Sequence, residues 1–342
     1  MNRYSNLLYK RGFLFTDIQD LSFIDEESDN IIKKWSKVNL GLYSLYYDPD
    51  LIFGLYRKED NWIVIAGMVL NPFDGCNDSN EIAQKLYEYK SGSNIKFLNY
   101  LNQLSGRFVL ISIQGAKVEI FNDACATRTV FYDRYSSKVL VSSHATLIAA
   151  IMGYEISSEA LYFFYNKDYK EALIKRLPGL MSPYEEVLIL SPNTKLTIPD
   201  MKIVRFFPYK VNPSYGSYDD LEEEVSDLMA SQIKLLNAKT KIAMSLTAGM
   251  DSRLSLAASK DICADIDYFT FLTKNVSHIE DAKIAQQICK ENDLKHNLYH
   301  WDSNKNSEGL KEFEYIWERN LGIRRGILWL NKLYIDSFPK DR

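Results

Sequence analysis

The sequence predicts two domains, a layered α+β domain over residues 1–210 and an α/β domain with a parallel sheet over residues 219–342. A length of 342 residues, 46% of them hydrophobic, is enough for two separate cores. Short apolar runs separated by turn residues fill the chain before residue 210, whereas strands and helices alternate after residue 219. Segment 211–218, rich in Pro, Gly, Ser and Asn, is predicted to be a linker.

The first domain is predicted to contain antiparallel sheets with a few helices between them. Runs rich in β-branched and aromatic residues predict strands at 51–56, 62–70, 107–113, 117–122, 130–135 and 138–142. Helical periodicity predicts helices at 80–90, 95–104 and around 157–165. Layers of this kind indicate the α+β class.

The second domain opens with an acidic, amphipathic helix that begins at Asp219. Strands are then predicted at 241–246, 265–272 and 295–301, and helices at 252–259 and 279–292. This alternation indicates a parallel sheet flanked by helices. Ligands bind such sheets at the carboxyl ends of the strands.

Composition excludes several classes of function. A net charge of −4 argues against general nucleic-acid binding. The four cysteines, at 76, 125, 263 and 289, form no CxxC pair, so neither a zinc site nor a disulfide framework is indicated. We find no signal-peptide core and no apolar run long enough to span a bilayer. We therefore expect a cytoplasmic protein without nucleic-acid or membrane partners.

The turn between the first strand and first helix of the second domain is a candidate anion site. Gly249 would let the backbone approach an anion closely, and Thr247 and Ser252 offer hydroxyl groups. With Asp251 or Ser252 as the helix cap, the backbone N–H groups and the helix dipole would suit a phosphate or pyrophosphate. Because the Asp251 carboxylate would repel phosphates, its presence implies Mg²⁺ between them. An ordinary βα turn is the alternative.

Residues 247–252, Thr-Ala-Gly-Met-Asp-Ser, resemble the pyrophosphate loop of the ATP pyrophosphatase superfamily, usually Ser-Gly-Gly-x-Asp-Ser. Thr247 keeps the hydroxyl of the family's serine, whereas Ala248 adds a methyl group where the family has glycine. The resemblance implies that ATP and Mg²⁺ bind here. It makes Asp251 the catalytic and metal-binding residue and implies nucleotide contacts from Leu246, Thr247, Ala248, Gly249, Met250, Ser252, Arg253 and Phe271.

An ordered set of segments upstream of this loop is similar to the glutamine amidotransferase half of asparagine synthetases. The segments are 104–111, 118–132, 139–143, 176–179, 186–192 and 205–208. That half is a sandwich of the N-terminal-nucleophile type, so the resemblance implies this fold for the first domain. It also implies an ATP pyrophosphatase fold for the second domain.

One departure from the family concerns its glutaminase. The family uses a cysteine exposed by removal of the initiator Met, whose α-amine acts as the base. Position 2 here is Asn2, and the first cysteine is Cys76. An amide is no nucleophile, so we expect no glutaminase activity. Asp123 and Arg128 keep the family's appearance and are predicted to hold the fold, with a substrate contact as the alternative.

The resemblance also assigns roles in the second domain. Leu246 and Phe271 would flank the adenine, with the Phe271 backbone offering N–H and C=O, and a core aromatic is the alternative. Glu280 and Asp281 are interpreted as solvated acids in the first turn of their helix, with a substrate role as the alternative. Arg253 is either a phosphate contact or a surface arginine.

The implied reaction is ATP-dependent activation of a carboxylate, aspartate or a related acid, followed by amide formation. The amine would be ammonia, an amine from a partner subunit, or one on the substrate itself, and a homodimer is one possible assembly. The family's second acidic, glycine-rich loop is not found, and Arg324-Arg-Gly326 does not match it. We therefore expect an incomplete second domain.

Two other functions are open at this stage. The first is a non-catalytic nucleotide-binding or interaction protein that retains the fold, and the second, less favoured, is a nucleotide-modifying thiolase. His278, His296 and His300 are interpreted as satisfied or exposed side chains rather than metal ligands.

Overall fold

The computed structural model describes residues 3–21, 25–172, 176–208, 217–301, 307–321 and 328–338. The chain forms two compact units, and each is discontinuous in sequence. The first comprises Met1–Val69, Asp78–Val211 and Glu312–Gly326, and the second comprises Leu70–Asn77, Asn212–Lys311 and Ile327–Arg342. Most of the predicted linker 211–218 lies outside the described residues, and the predicted domain limits stay a prediction.

The first unit contains two six-stranded sheets in the part of the chain described. Its strands are β1 Phe13–Thr16, β2 Ser36–Leu40, β3 Tyr43–Tyr47, β4 Phe53–Lys58, β5 Asn61–Leu70, β6 Ser105–Gln114, β7 Lys117–Asn122, β8 Phe131–Asp133, β9 Leu140–Ser142, β10 Val187–Ile189, β11 Thr194–Ile198 and β12 Lys202–Arg205. The strand orders are β10-β8-β9-β1-β3-β2 and β12-β11-β7-β6-β5-β4. Pairing is antiparallel, as between β6 and β7 or β1 and β3.

A buried core lies between these two sheets. Side chains alternate along each strand, so one face of each sheet supplies apolar groups to the shared core. The first sheet contributes Phe13, Phe15 and Leu45, and the second contributes Val64, Val109 and Ile120. Each of these side chains is fully buried.

Helices cover the outer faces of the two sheets. Against the second sheet lie α2 (Ser79–Gly92) and α3 (Asn94–Gln103), where the rings of Phe97 and Phe121 are 5.6 Å apart. Against β8, β9 and β10 of the first sheet lies α4 (Ala145–Met152). Helices α1 Glu26–Ile32, α5 Ser158–Tyr165 and α6 Lys167–Glu171 also belong to the first unit. The predicted layered α+β arrangement of antiparallel sheets is confirmed.

Helix α10 (Leu310–Leu321) packs on the first unit through residues 312–321. Asn320 accepts a hydrogen bond from the Tyr9 backbone N–H at 2.6 Å and donates to the Leu7 carbonyl at 2.8 Å. Arg319 donates to the hydroxyls of Tyr9 and Ser28 at 3.3 and 3.1 Å. This late segment is therefore tied to the beginning of the chain.

Within its described residues, the second unit contains a three-stranded parallel sheet in the order β13-β14-β15. Its elements are α7 Tyr218–Asn237, β13 Ala243–Ser245, α8 Met250–Ala258, β14 Asp267–Leu272, α9 Val276–Glu291, β15 His296–His300 and α11 Leu328–Ser337. The predicted alternation is present, with strands shorter than predicted. Among the helices of the described segments, none is both long and apolar enough to cross a membrane.

The two faces of this parallel sheet have different cores. On one face, Leu246 and Tyr268 pack with Ala285 and Cys289 of α9, and Leu256 of α8 adjoins them. On the other face, aromatic rings cluster with centroids 4.8–6.5 Å apart, from Phe269, Phe271, Tyr299, Tyr334 and Phe338. Both faces are thus covered within the unit itself.

Candidate functional site

The predicted anion loop leaves the sheet at the carboxyl end of β13. The Leu246 N–H makes a last strand-like bond to the Phe269 carbonyl at 2.8 Å, after which the chain turns away. Helix α8 begins at Met250, whose side chain is 76% exposed. The sequence therefore located this strand–loop–helix unit correctly.

The predicted helix cap is wrong, because α8 begins two residues before Ser252 and its N-cap residue is Gly249. No side chain caps this helix. The Ser252 hydroxyl instead turns back on the loop, accepts from the Thr247 N–H at 3.1 Å and lies 3.0 Å from the Gly249 carbonyl oxygen. The first N–H groups of α8, which lack partners within the helix, are left at the positive end of its dipole.

A brace of hydroxyl groups holds the loop in shape. The hydroxyl oxygens of Thr247 and Ser252 are 3.1 Å apart, and the Gly249 N–H donates to Thr247 Oγ1 at 3.1 Å. Gly249 has φ −64°, and Ala248 is not among the residues with positive φ. The loop therefore needs no left-handed residue at either position, so an alanine at position 248 fits without backbone strain.

The side chain of Asp281 occupies one of the backbone N–H donors of the loop. Its Oδ1 accepts a hydrogen bond from the Ala248 N–H at 3.0 Å, although the two residues are 33 positions apart. The interpretation of Asp281 as a solvated first-turn acid is therefore wrong. Helix α9 begins at Val276, three residues before the predicted start, and its N-cap Asn275 accepts from the Ser277 N–H. Glu280 is exposed, as predicted, but like Asp281 it lies beyond the first turn of this helix.

The charged groups of the loop face solvent. Asp251 lies in the first turn of α8 and is exposed, as is Arg253. The Arg253 Nε lies 3.4 Å from the Gly249 carbonyl oxygen, which keeps the guanidinium near the start of the helix. One carboxylate and one guanidinium thus flank the uncapped N-terminus of α8.

Phe271 belongs to β14 and lies beyond the point where the pairing of β14 with β13 ends. Alternate residues of β14 bond to opposite neighbours, and the Phe269 carbonyl faces β13, where it accepts from Leu246. Phe271 points to the same side, but the ladder with β13 ends at Phe269. Its backbone N–H and C=O therefore lie at the sheet edge next to the loop, while its ring belongs to the aromatic cluster. The side chain of Leu246 is fully buried in the core.

Two histidines of this unit, His278 and His296, each have one hydroxyl partner, and His300 is exposed. The Nδ1 of His296 is buried and has no hydrogen-bond partner among the described residues. His296 Nε2 is 2.9 Å from the Thr270 hydroxyl, and His278 Nδ1 is 2.8 Å from the Thr273 hydroxyl. Burial lowers the pKa of His296, which keeps this imidazole neutral at pH 7. Among the described residues, no three His, Cys, Asp or Glu side chains are grouped as a metal site.

In the first unit, Asp123 and Arg128 stabilise a loop. The Asp123 carboxylate accepts from the backbone N–H groups of Cys125, Thr127 and Arg128 at 3.2, 2.9 and 2.9 Å. Arg128 in turn donates to the carbonyl oxygen of Arg11. These contacts support the predicted role in holding the fold. Asn2, on which the expected lack of glutaminase rests, lies outside the described residues, as does Arg324-Arg-Gly326.

Comparison with known proteins gives no family. No family model matches this chain, and no curated protein matches it. A solved structure of the glutamine phosphoribosylpyrophosphate amidotransferase from B. subtilis, complexed with ADP and GMP, is similar at 11% identity and a TM-score of 0.33, over 85% of this chain and 60% of that one. A structure described as the allosteric regulatory enzyme of purine biosynthesis gives 13% identity and a TM-score of 0.34, over 78% and 61%.

The chain thus spans about three fifths of the length of these two proteins. Likeness at this level carries no conclusion about function.

Proposed function

We propose that this protein binds ATP at the loop between β13 and α8 and acts as an asparagine synthetase-like amide ligase without its own glutaminase. The observation that carries the proposal is the uncapped N-terminus of α8 at the carboxyl end of a parallel strand, with Asp251 and Ser252 beside it. Helix N-termini in this position are anion sites.

The backbone and hydroxyl groups of the loop would hold the β- and γ-phosphates. The N–H groups at the start of α8 point toward an incoming anion, and the absent Cβ of Gly249 lets phosphate oxygens approach. The brace between Thr247 and Ser252 pre-forms the loop, so little ordering is needed on binding. The Phe271 backbone at the neighbouring sheet edge would pair with the edge of the adenine.

The residues present fit a magnesium ion shared with a nucleotide. Mg²⁺ usually takes one or two protein carboxylates and fills its other positions with phosphate oxygens and water. Asp251 is an exposed carboxylate in the first turn of α8. The described residues contain no group of three metal-binding side chains, so phosphate oxygens and water would supply the other ligands. When bound, the ion would neutralise phosphate charge.

In the proposed reaction a substrate carboxylate oxygen attacks the α-phosphorus of ATP and pyrophosphate leaves. Negative charge grows on the leaving group, and the N–H groups of α8 would stabilise that charge, as would Arg253. The acyl-adenylate is then attacked by an amine, which gives an amide and AMP. The amine would be ammonia, an amine from a partner subunit, or one carried by the substrate.

The test is release of pyrophosphate from Mg·ATP across a panel of carboxylic acids, aspartate included, with ammonia as the amine. We expect acid-dependent release that Asp251→Asn abolishes. Asp261→Asn is the matched control, because Asp261 is an exposed acid of the same unit just after α8. Unchanged turnover in Asp251→Asn would refute the role given to this residue.

One observation favours a second candidate, a nucleotide-binding protein without catalysis. Asp281 occupies a loop N–H, which places a second negative charge beside the proposed phosphate site. Under this alternative, Mg·ATP binds but no acid in the panel releases pyrophosphate.

A further inference from the structure

Arg11, Arg107 and Arg128 of the first unit have no role in the proposed reaction, and all three are linked to the loop 123–129. Arg128 is partly buried, whereas Arg11 and Arg107 are exposed. Arg107 Nε donates to the Thr127 carbonyl at 3.0 Å, and Arg128 donates through Nη1 to the Arg11 carbonyl at 2.8 Å. The Arg107 guanidinium therefore lies against the backbone of Thr127, and the Arg128 guanidinium lies against the backbone of Arg11.

The position of Arg128 is built by the surrounding backbone. Its Nε lies 3.4 Å from the Arg107 carbonyl oxygen, and Gly67 leaves room for the side chain. Gly67 has φ +125°, and a Cβ there would lie 2.8 Å from Arg128 Nε. Asp123 fixes the loop itself through its three backbone hydrogen bonds. Arg128 is therefore held in place, and not free to swing into solvent.

The charges around Arg128 are not balanced within the described residues. Burial, first, and then the cations of Arg107 and Arg11 lower the pKa of Arg128 to about 10, against the opposing effect of Asp123. Arg11 also acts on Asp50, but Asp50 is already paired with Lys10. Among the described residues, Asp123 is the one carboxylate whose charge acts on Arg128, and its oxygens already accept three backbone N–H groups.

Hydrogen-bonding capacity is also left over. A guanidinium has five N–H donors, and the contacts above use two of those on Arg128. Its Nη2 makes no hydrogen bond to any of the residues that the structure describes, and it is not among their buried, unpartnered atoms. Planar guanidinium groups with spare donors match the oxygens of carboxylates and phosphates.

We propose that Arg11, Arg107 and Arg128 form a binding site for a small oxyanion, a phosphate or a carboxylate. The ligand would accept the spare N–H groups of Arg128 and relieve the repulsion among the three cations. This site belongs to the first unit, whereas the loop at 247–253 belongs to the second.

The experiment uses the full chain at low ionic strength, titrated with inorganic phosphate and, separately, with acetate, with sodium chloride as the ionic-strength control. Binding is followed by amide hydrogen exchange of the loop 123–129. We expect saturable slowing of exchange there with at least one of the two anions. Arg11→Gln should weaken this binding about tenfold, because one of the three cations that attract the anion is lost.

Arg11→Gln keeps the backbone carbonyl that accepts from Arg128, so the fold of the loop is retained. Arg57→Gln is the matched control, since Arg57 is an exposed arginine of the same unit that lies over the Trp62 ring. Without anion, Arg11→Gln should unfold at the same temperature as the wild type or higher, because repulsion is removed. Protection only at 246–258, or equal binding by Arg11→Gln and Arg57→Gln, would overturn the proposal.

Discussion

Replacing Asp281 by asparagine changes the charge beside the proposed phosphate site with little change in shape. The amide oxygen of the new side chain still accepts from the Ala248 N–H, which Asp281 now meets at 3.0 Å. The bond weakens because a charged acceptor becomes neutral, and we expect a loss of about 1 kcal/mol in the stability of the second unit.

The same change should strengthen the binding of pyrophosphate. A phosphate on the N–H groups of α8 would be repelled by the carboxylate, and one pair of like charges about 4 Å apart costs about 1 kcal/mol at the dielectric of water. Removing that repulsion gives about fivefold tighter binding. The prediction applies without magnesium, since a cation would mask the carboxylate.

The assay is calorimetric titration of pyrophosphate in EDTA with the wild type, Asp281→Asn and Glu280→Gln. Glu280→Gln is the matched control, because it removes the same charge at the preceding residue, whose side chain is exposed. This variant should bind pyrophosphate about as the wild type does. Weaker binding by Asp281→Asn would refute this reasoning, because it would show that Asp281 assists the anion.

Two further predictions concern the first unit. Burial favours the neutral form of Glu119, but hydrogen bonds from Lys195 and Lys90 outweigh it and lower the pKa to about 2 from 4.5, whereas burial wins at Lys90 and lowers its pKa. The stabilisation by Glu119 is therefore complete above pH 4.5 and lost as the pH falls toward 2. Glu119→Gln should lower the free energy of unfolding by about 3 kcal/mol at pH 7, and the loss of stability between pH 4.5 and 2 should become smaller in urea unfolding. An unchanged loss of stability over this pH range would contradict the prediction. Asn320→Ala removes the acceptor of the Tyr9 N–H and should cost about 1–3 kcal/mol, with faster amide exchange in α10; identical exchange would count against it.

Local patterns were enough to predict much of this fold. The run at 117–122 forms β7 with the predicted bounds, and the strand–helix alternation after residue 219 forms the parallel sheet. Strands β1 to β3 were not predicted. Strand β1 is buried at all four positions and is completed by β9, which lies more than 120 residues later in the chain. A strand buried on both faces lacks the alternation of polar and apolar residues by which strands are predicted.

The loop between β13 and α8 was located from the sequence, but its contacts were not. Ser252 is a good capping residue, yet in the structure its hydroxyl bonds to Thr247 and the helix begins before it. The hydrogen bond from Ala248 to Asp281 joins residues on two different helix–loop segments. Only the packing of α9 on the sheet brings them together. The position of Asp281 near the start of a helix was the one available signal, and it suggested exposure.

On our proposal, the N–H groups at the start of α8 receive the phosphates of a nucleotide. Amide hydrogen exchange of residues 246–258, with and without Mg·ATP at saturating concentration, tests this most directly. We predict slower exchange at Met250, Asp251 and Ser252 when Mg·ATP is bound. Binding of Mg·ATP with unchanged exchange at these three residues would contradict it.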